Sequence, residues 1–386
     1  MSNNWKTYKL GDIANFSYGK MPKKELLGKG IYPTYSGYKY QYKYSEYNCS
    51  KGDIIIVARG VGGTGDVKIV KENCFLTNLS IKIDLNQKNV ENKFFYYNYF
   101  LNTLRYLDSG SAQSQITIND LNKLEIKLPP LQEQKSIAAI LSTIDDKIEN
   151  NLAINKTLEE MAMALYKHWF VDFGPFQDGE FVESELGRIP KGWEVKSVYD
   201  IANYVNGAAF KPSELVDEGK YVIKISELNG GITKNTGKST KEVKQEQIIN
   251  NGSVLFSWSA TLDIFLWDKG EALLNQHIFN VLPNGSLSIE TLYFLLKNII
   301  AHFKAIAADR ATTMGHIKLS HLKETFLAIP NEIHKQEFQK IIEPIFNQIL
   351  ENLTENQTLT QLRDTLLPKL ISGEVRLKEF RESITN

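Results

Sequence analysis

Cysteine is almost missing from this chain. Cys49 and Cys74 are the only two in 386 residues, and no CxxC occurs. That excludes a disulfide framework and a zinc finger or ribbon. Histidine is sparse too: the six are scattered, and the closest pair, His316 and His321, is five apart, a spacing that suits no common metal site. No run of 18 apolar residues exists, so no transmembrane helix is expected. The opening MSNNWKTYKLGD lacks the apolar core of a signal peptide, which gives a cytoplasmic location as the expectation. Net charge is absent as well, with 45 basic and 45 acidic residues.

Catalytic motifs are also lacking. ARGVGGTGD (58–66) is glycine-rich after a strand-like run, but VKIV follows rather than a helix, and no Lys-Ser/Thr pair completes a P-loop. Those glycines fit a hairpin tip that lets Arg59 and the backbone approach something closely. The Pro-containing runs LPPL and FGPF lack the Asn or Asp with which an adenine methylase holds its target amine. Asp145 and Asp146 precede Lys147 on a helix and read as a solvated face. No spacing suggests a Ser/His/Asp or Cys/His arrangement. The chain is read as a non-enzyme, with no catalytic residue, no metal ligand and no cofactor of its own.

What is present is unevenly placed. Residues 1–130 carry a net charge of +7 and residues 220–330 a net of +3, while the segments between are acidic. Local excess is enough for a phosphate-binding patch.

The chain also repeats itself. Trp5 followed by DIAN at 12–15 matches Trp193 followed by DIAN at 200–203, an offset of 188. GDIIIVARG from Gly52 resembles GSVLFSWSA from Gly252. From Ile116 and Ile317 onward the offset is 201, through Pro129 and Pro330, Ile148 and Ile349, and Leu165 and Leu366. Each half holds short β-branched and aromatic runs (DIIIVA, LSIKI, YVIKIS, SVLFSW), then helical stretches (NKFFYYNYFLNTLRYL, IETLYFLLKNIIAHFKAIA). The fold class is therefore α+β: two related mixed α/β globular domains with a long helix after each.

Those helices carry a 4-3 seam. The first runs Ile137, Leu141, Ile144, Ile148, Asn151, Asn155, Leu158, Ala162, Leu165, Trp169. The second runs Phe338, Ile342, Ile345, Ile349, Asn352, Asn356, Leu359, Arg363, Leu366, Leu370, with Pro344 expected to kink it or to start its regular part. A repeat of this kind predicts an antiparallel two-helix coiled coil with pseudo-two-fold symmetry. Paired in full overlap, Asn151 meets Asn356 and Asn155 meets Asn352. Amides in a seam lower stability but penalise shifted registers, so these four are the register candidates. Roughly 33 residues at about 1.5 Å each make a strut of about 50 Å. Two-fold proteins read DNA half-sites about one turn (~34 Å) apart, so the plan suits a reader of a split DNA sequence.

Binding residues can be proposed along the basic segments. YPTYSGYKYQYKYSEY (32–47) interleaves seven tyrosines with lysines, and offers Tyr35, Tyr38, Lys39 and Lys43 for phosphates and base edges. SGSAQSQIT (109–117) and ADRATTMGHIK (308–318) occupy equivalent places in the two halves and differ from each other. They offer Gln113 and Gln115 for adenine, Arg310 for guanine or phosphate, and Thr312 and Thr313 beside it. Lys234 and Lys238 are the basic candidates in the second half. A coiled-coil scaffold that binds a partner and no DNA is the alternative, and it needs the tyrosine-lysine stretch to be core.

The runs LPPLQEQKSIAAILSTIDDKI, ALYKHWFVDFGPF, IPKGWEV, GSAQSQITINDLNKLEIKLPP and LRDTLLPKLISGEV resemble the specificity subunit of type I restriction-modification systems, over the whole chain. The second half departs from LPPLxEQ with IPNEIHKQEF, although Gln336 lies close to the expected glutamine. The resemblance implies target-recognition domains at 1–130 and 173–330, spacer helices at 131–172 and 331–372, and a tail at 373–386. It implies double-stranded DNA, two modification subunits that use S-adenosylmethionine, and restriction subunits that use ATP and Mg as partners.

Overall fold

The computed structural model describes residues 4–60, 63–108, 114–309 and 317–375. The chain forms two compact units, Met1–Asp146 with Thr360–Asn386, and Lys147–Leu359. No helix among the described residues is long and apolar enough to cross a membrane.

The first unit runs β1 (Lys6–Lys9), α1 (Leu10–Ile13), β2 (Ala14–Tyr18), β3 (Tyr32–Tyr35), β4 (Tyr40–Tyr44), β5 (Ile54–Val57), β6 (Val67–Ile69), β7 (Phe75–Leu76) and β8 (Ser80–Leu85). Then come α2 (Asn92–Asn98), α3 (Ile118–Lys123), β9 (Glu125–Leu128) and the start of α4 (Leu131–Tyr166). β1 pairs with β9, an antiparallel sheet has the order β2-β8-β5-β6, and a third sheet, β4-β3-β7, sets β3 parallel to β7. The run DIIIVA does not alternate, and β5 explains why. Ile54 and Ile56 face the main core with Phe94, Phe95 and Leu121, while Ile55 faces a smaller core with Tyr35, Cys49 and Cys74. A strand covered on both faces needs apolar side chains on both. The helix expected across 92–107 stops at Asn98, and a short 3-10 turn, Leu104–Leu107, follows.

The second unit repeats this plan. It holds β10 (Phe181–Ser184), β11 (Gly187–Pro190), β12 (Glu194–Ser197), β13 (Ala202–Asn206), β14 (Lys220–Ile223), α5 (Ile225–Gly230), β15 (Lys238–Ser239) and β16 (Ile248–Ile249). β17 (Val254–Ser257), β18 (Asp263–Leu266), β19 (Ala272–Leu274), β20 (Ile278–Pro283), α6 (Ile289–Asp309), α7 (Leu319–Glu324) and β21 (Phe326–Ile329) follow, and then α8 (Glu332–Ser372). Strand order β13-β20-β17-β18 matches β2-β8-β5-β6; β12 pairs with β21 as β1 does with β9; β14 lies parallel to β19 as β3 does to β7. β17 also feeds two cores, Val254 and Phe256 in one and Leu255 in the other.

α4 and α8 pack together within each unit. In the first, Ile137 and Leu141 share the core with Leu367 and Leu370. In the second, Asn151 Nδ2 donates to Asn356 Oδ1 at 2.9 Å, and Asn352 Nδ2 to Asn155 Oδ1 at 2.7 Å, which makes the pair antiparallel. Two sequence expectations need correction. Beyond Ala162 the buried face moves to Tyr166 and Phe170, leaving Leu165 and Trp169 only half-buried. The helix widens to a π turn at Lys167–Val171, and the extra residue per turn rotates the seam. Of the two expectations for Pro344, the start of the regular part is the one that fails: α8 begins at Glu332 and is one element through the proline. Pro344 and Lys340, whose carbonyl loses its N–H partner, are both exposed, so water can take that bond.

Candidate nucleic-acid interface

The tyrosine-lysine run is the β3–β4 hairpin, whose register pairs Tyr32 with Tyr44, Pro33 with Lys43 and Tyr35 with Tyr40. Tyr35 was expected at the surface and is only 6% exposed. Its ring stacks on Tyr40 at 4.1 Å, and its hydroxyl donates to the Gly37 carbonyl at 3.2 Å. Burial pushes its phenol well above the ordinary range. The internal repeat gives the reason. Thr77 N–H donates to the Tyr35 carbonyl just as Asn275 N–H donates to that of Ile223, so Tyr35 fills a core position that the second half gives to isoleucine.

Tyr38, in the hairpin turn, is 43% exposed. Lys68 Nζ stands 5.1 Å over its ring, and its phenol is raised first by burial and then by Asp66. Gly63 and Gly65 of the 58–66 run do permit close approach, but to the chain itself. A β-carbon at Gly63 would strike the Tyr38 hydroxyl, and one at Gly65 would strike the backbone of Leu104 and Arg105. The run lies between β5 and β6, which pair antiparallel.

Arg59 is exposed and forms a β-bridge with Gln115, next to the bond from Ile116 N–H to the Ala58 carbonyl. Gln115 is half-buried, and its backbone N–H donates to Asp108 Oδ1 at 3.0 Å. Tyr38, Arg59 and Gln115 thus all attach to the β5–β6 connection, and Lys39 adjoins them in sequence. Lys43 is exposed at the other end of its strand pair, opposite Pro33. Lys238 holds the equivalent position in the second half: it pairs with Tyr221, and its Nζ lies 5.0 Å over that ring. Lys234 is exposed in the connection before it. Gln113, Arg310, Thr312 and Thr313 lie outside the described residues.

The hairpin connections differ between the halves. Four residues separate β3 from β4, whereas the segment between β14 and β15 holds α5 and Lys234. At the end of β17 the second half also sets out residues that motif reasoning missed. Trp258 Nε1 donates to Asn206 Oδ1 at 3.2 Å, the Trp258 and His277 rings lie 5.6 Å apart, and Gln276 Nε2 is 3.4 Å from His277 Nε2. The signal available in sequence was only the repeat offset, since none of these residues belongs to a spaced motif.

The amide network on the helices is dense. Asn151 Nδ2 also donates to Glu355 Oε2 at 2.7 Å, Lys147 donates to Asn151 Oδ1 at 3.1 Å and pairs with Glu355 at 3.0 Å, and Asn155 Nδ2 donates to the Ile349 carbonyl at 3.1 Å. The Asn151 and Lys147 donors hold the Glu355 carboxyl below its usual range. Each unit also anchors a globular part to α4 through a phenol: Tyr97 donates to Asp145 at 2.6 Å, where Arg363 pairs at 2.8 Å, and Tyr293 donates to Glu159 at 2.8 Å. Among the described residues no cluster of His, Cys, Asp and Glu could hold a metal.

Residues 2–160 and 190–362 match the family model described as the type I restriction modification DNA specificity domain. The chain is 29% identical to the type I restriction enzyme MjaIX specificity subunit of Methanocaldococcus jannaschii, over 98% of this chain and 95% of that protein. It is 25% identical to the HindI specificity subunit of Haemophilus influenzae, over 97% and 100%. A crystal structure of the type I restriction-modification S subunit from M. genitalium shares the fold, with a TM-score of 0.62 at 21% identity, over 95% of this chain and 96% of that one. On a family match that spans both repeats, the chain belongs to the DNA specificity subunits of type I restriction-modification systems.

Proposed function

We propose that the two globular parts, residues 1–130 and 173–330, each read one half of a bipartite double-stranded DNA site. In this reading 131–172 and 331–372 are the spacer helices that fix the interval, and 373–386 is a tail, most of which (376–386) lies outside the described residues. The specificity subunit is the non-catalytic member of its complex, and S-adenosylmethionine and ATP belong to the modification and restriction subunits. Two modification subunits and the restriction subunits are the proposed partners, and the cytoplasm is the proposed compartment.

The observation that carries the reading is the duplicated strand order, one scaffold used twice with different exposed loops. Tyr38, Lys39, Arg59 and Gln115 in the first half, and Lys234 in the second, are exposed or half-buried donors on or beside those loops, suited to phosphates and base edges. Lys43 and Lys238, at equivalent positions, are suited to the phosphate backbone. The scaffold alternative loses its support, because only Tyr35 and Tyr44 of the seven tyrosines are buried. Asn151, Asn155, Asn352 and Asn356 are assigned the register.

Mapping methylated adenine genome-wide, with and without this gene, tests the reading in cells that supply the modification partner. Loss of one bipartite motif on deletion is the expected result. An unchanged map, together with no DNA binding by the purified complex, would overturn it.

A further inference from the structure

Backbone hydrogen bonds set the two halves in register more closely than sequence identity does. Gly19 N–H donates to the Ser80 carbonyl as Gly207 N–H donates to that of Ile278, at 3.0 and 3.1 Å. Ile116 N–H donates to the Ala58 carbonyl as Ile317 N–H donates to that of Trp258, both at 3.0 Å. The end of β2, the end of β5 and the turn before β8 therefore correspond to the end of β13, the end of β17 and the turn before β20. Tyr18 matches Asn206, and Leu79 matches His277.

Glycine matches glycine at 19 and 207, and buried isoleucine matches isoleucine at 116 and 317, while buried Ser80 and Ala58 are answered by Ile278 and Trp258. The outward members change completely. Tyr18, Arg59 and Leu79 are exposed in the first half, and Gln276 and His277 in the second. Tyr18 and Leu79 are 40% and 39% exposed at the strand ends, so part of each side chain is left accessible to a partner. They also gather at one place, since Arg59 N–H donates to the Leu79 carbonyl and Ile118 N–H to the Tyr18 hydroxyl. In the second half the Trp258 ring contacts His277 and its Nε1 holds Asn206.

We propose that these equivalent strand ends are the specificity-determining positions, with Arg59 and Leu79 reading bases of one half-site and Gln276 and His277, backed by Trp258, reading the other. This deepens the bipartite reading and rests on it. The side-chain chemistry is that of direct readout. A glutamine amide can bridge adenine N6 and N7, an arginine can grip guanine O6 and N7, and a leucine can contact a thymine methyl. A fixed backbone with exchanged outward side chains gives two reading heads of different specificity without a second fold.

The test is a methylated-adenine map of cells carrying the whole complex with Gln276→Ala plus His277→Ala, and separately with Arg59→Ala plus Leu79→Ala. The first pair is expected to relax one half-site and the second pair the other, by roughly tenfold at one or two base positions, with the interval unchanged. Gln276→Asn plus His277→Gln guards against simple loss of folding and is expected to alter the same half as the alanine pair. Unchanged motifs, both pairs altering one half, or abolished methylation with the conservative pair as well would each overturn the assignment. If the wild-type chain directs no bipartite motif at all, the bipartite reading itself fails.

Discussion

Gly19 and Gly207 stand where β2 and β13 cross a neighbouring strand's carbonyls. A β-carbon at Gly19 would collide with the carbonyl oxygens of Thr77 and Leu76, and one at Gly207 with those of Leu274 and Asn275. Alanine at either site forces backbone to move, at about 1–3 kcal/mol. Thermal unfolding of the complex should shift down for both, and unchanged melting would contradict the crossing geometry. The buried phenols give a second expectation. Burial raises the phenols of Tyr166 and Tyr204, and burial with Glu159 raises that of Tyr293. Because the fold favours the protonated phenol, its contribution is full below the unfolded value of about 10 and is lost as pH rises above it, by up to ~1.4 kcal/mol per pH unit for each. Stability measured from about pH 9 to pH 11 should fall, and Tyr204→Phe, which removes the hydroxyl that donates to the Val198 carbonyl, should flatten that fall. Residue-level burial was the least legible from sequence: Tyr35 and Tyr38 look alike in YPTYSGY, and only the strand pairing sends one inward.

At the scale of elements, the long helices were the most legible feature, because a 4-3 repeat over many turns has few other readings. The hydrogen bonds from Asn151 to Asn356 and from Asn352 to Asn155 occur at the positions that spacing gives. The end of the first seam was not legible. Nothing in the local repeat distinguishes Leu165 from Tyr166, and the aromatic cluster of Tyr166, Phe170, Phe338 and Trp193 decides it through tertiary packing. Asn356 Nδ2 is buried without a hydrogen-bond partner, a cost that leucines would remove. Replacing all four amides, Asn151, Asn155, Asn352 and Asn356, with leucine should therefore raise the unfolding midpoint while weakening discrimination among half-site intervals in a binding assay. Leucine at Asn151 and Asn155 alone strips Asn356 Oδ1 and Asn352 Nδ2 of their partners and should lower that midpoint. A quadruple variant that keeps its interval preference would remove the register role from the amides.

At the scale of the whole molecule, the repeat was legible as offsets of 188, 200 and 201, and the matching strand orders give those offsets their meaning. The reading surface was not, because residues that meet at the strand ends are scattered in sequence and belong to no motif. Exchanging residues 173–330 for the same segment of a relative should alter one half of the methylation motif and leave the other intact; changes in both halves would argue against independent reading heads. The unit boundaries carry one more consequence, in the order of events during synthesis. Lys147–Leu359 is continuous in sequence and can close as soon as it has emerged. The first unit cannot, because Leu367 and Leu370 complete the core around Ile137 and Leu141, so its contacts wait for more than 220 further residues, as the span from Leu141 to Leu367 requires. Until the ribosome delivers them, an apolar stripe of the nascent α4 stands open to water, and that interval is when the chain most needs a chaperone.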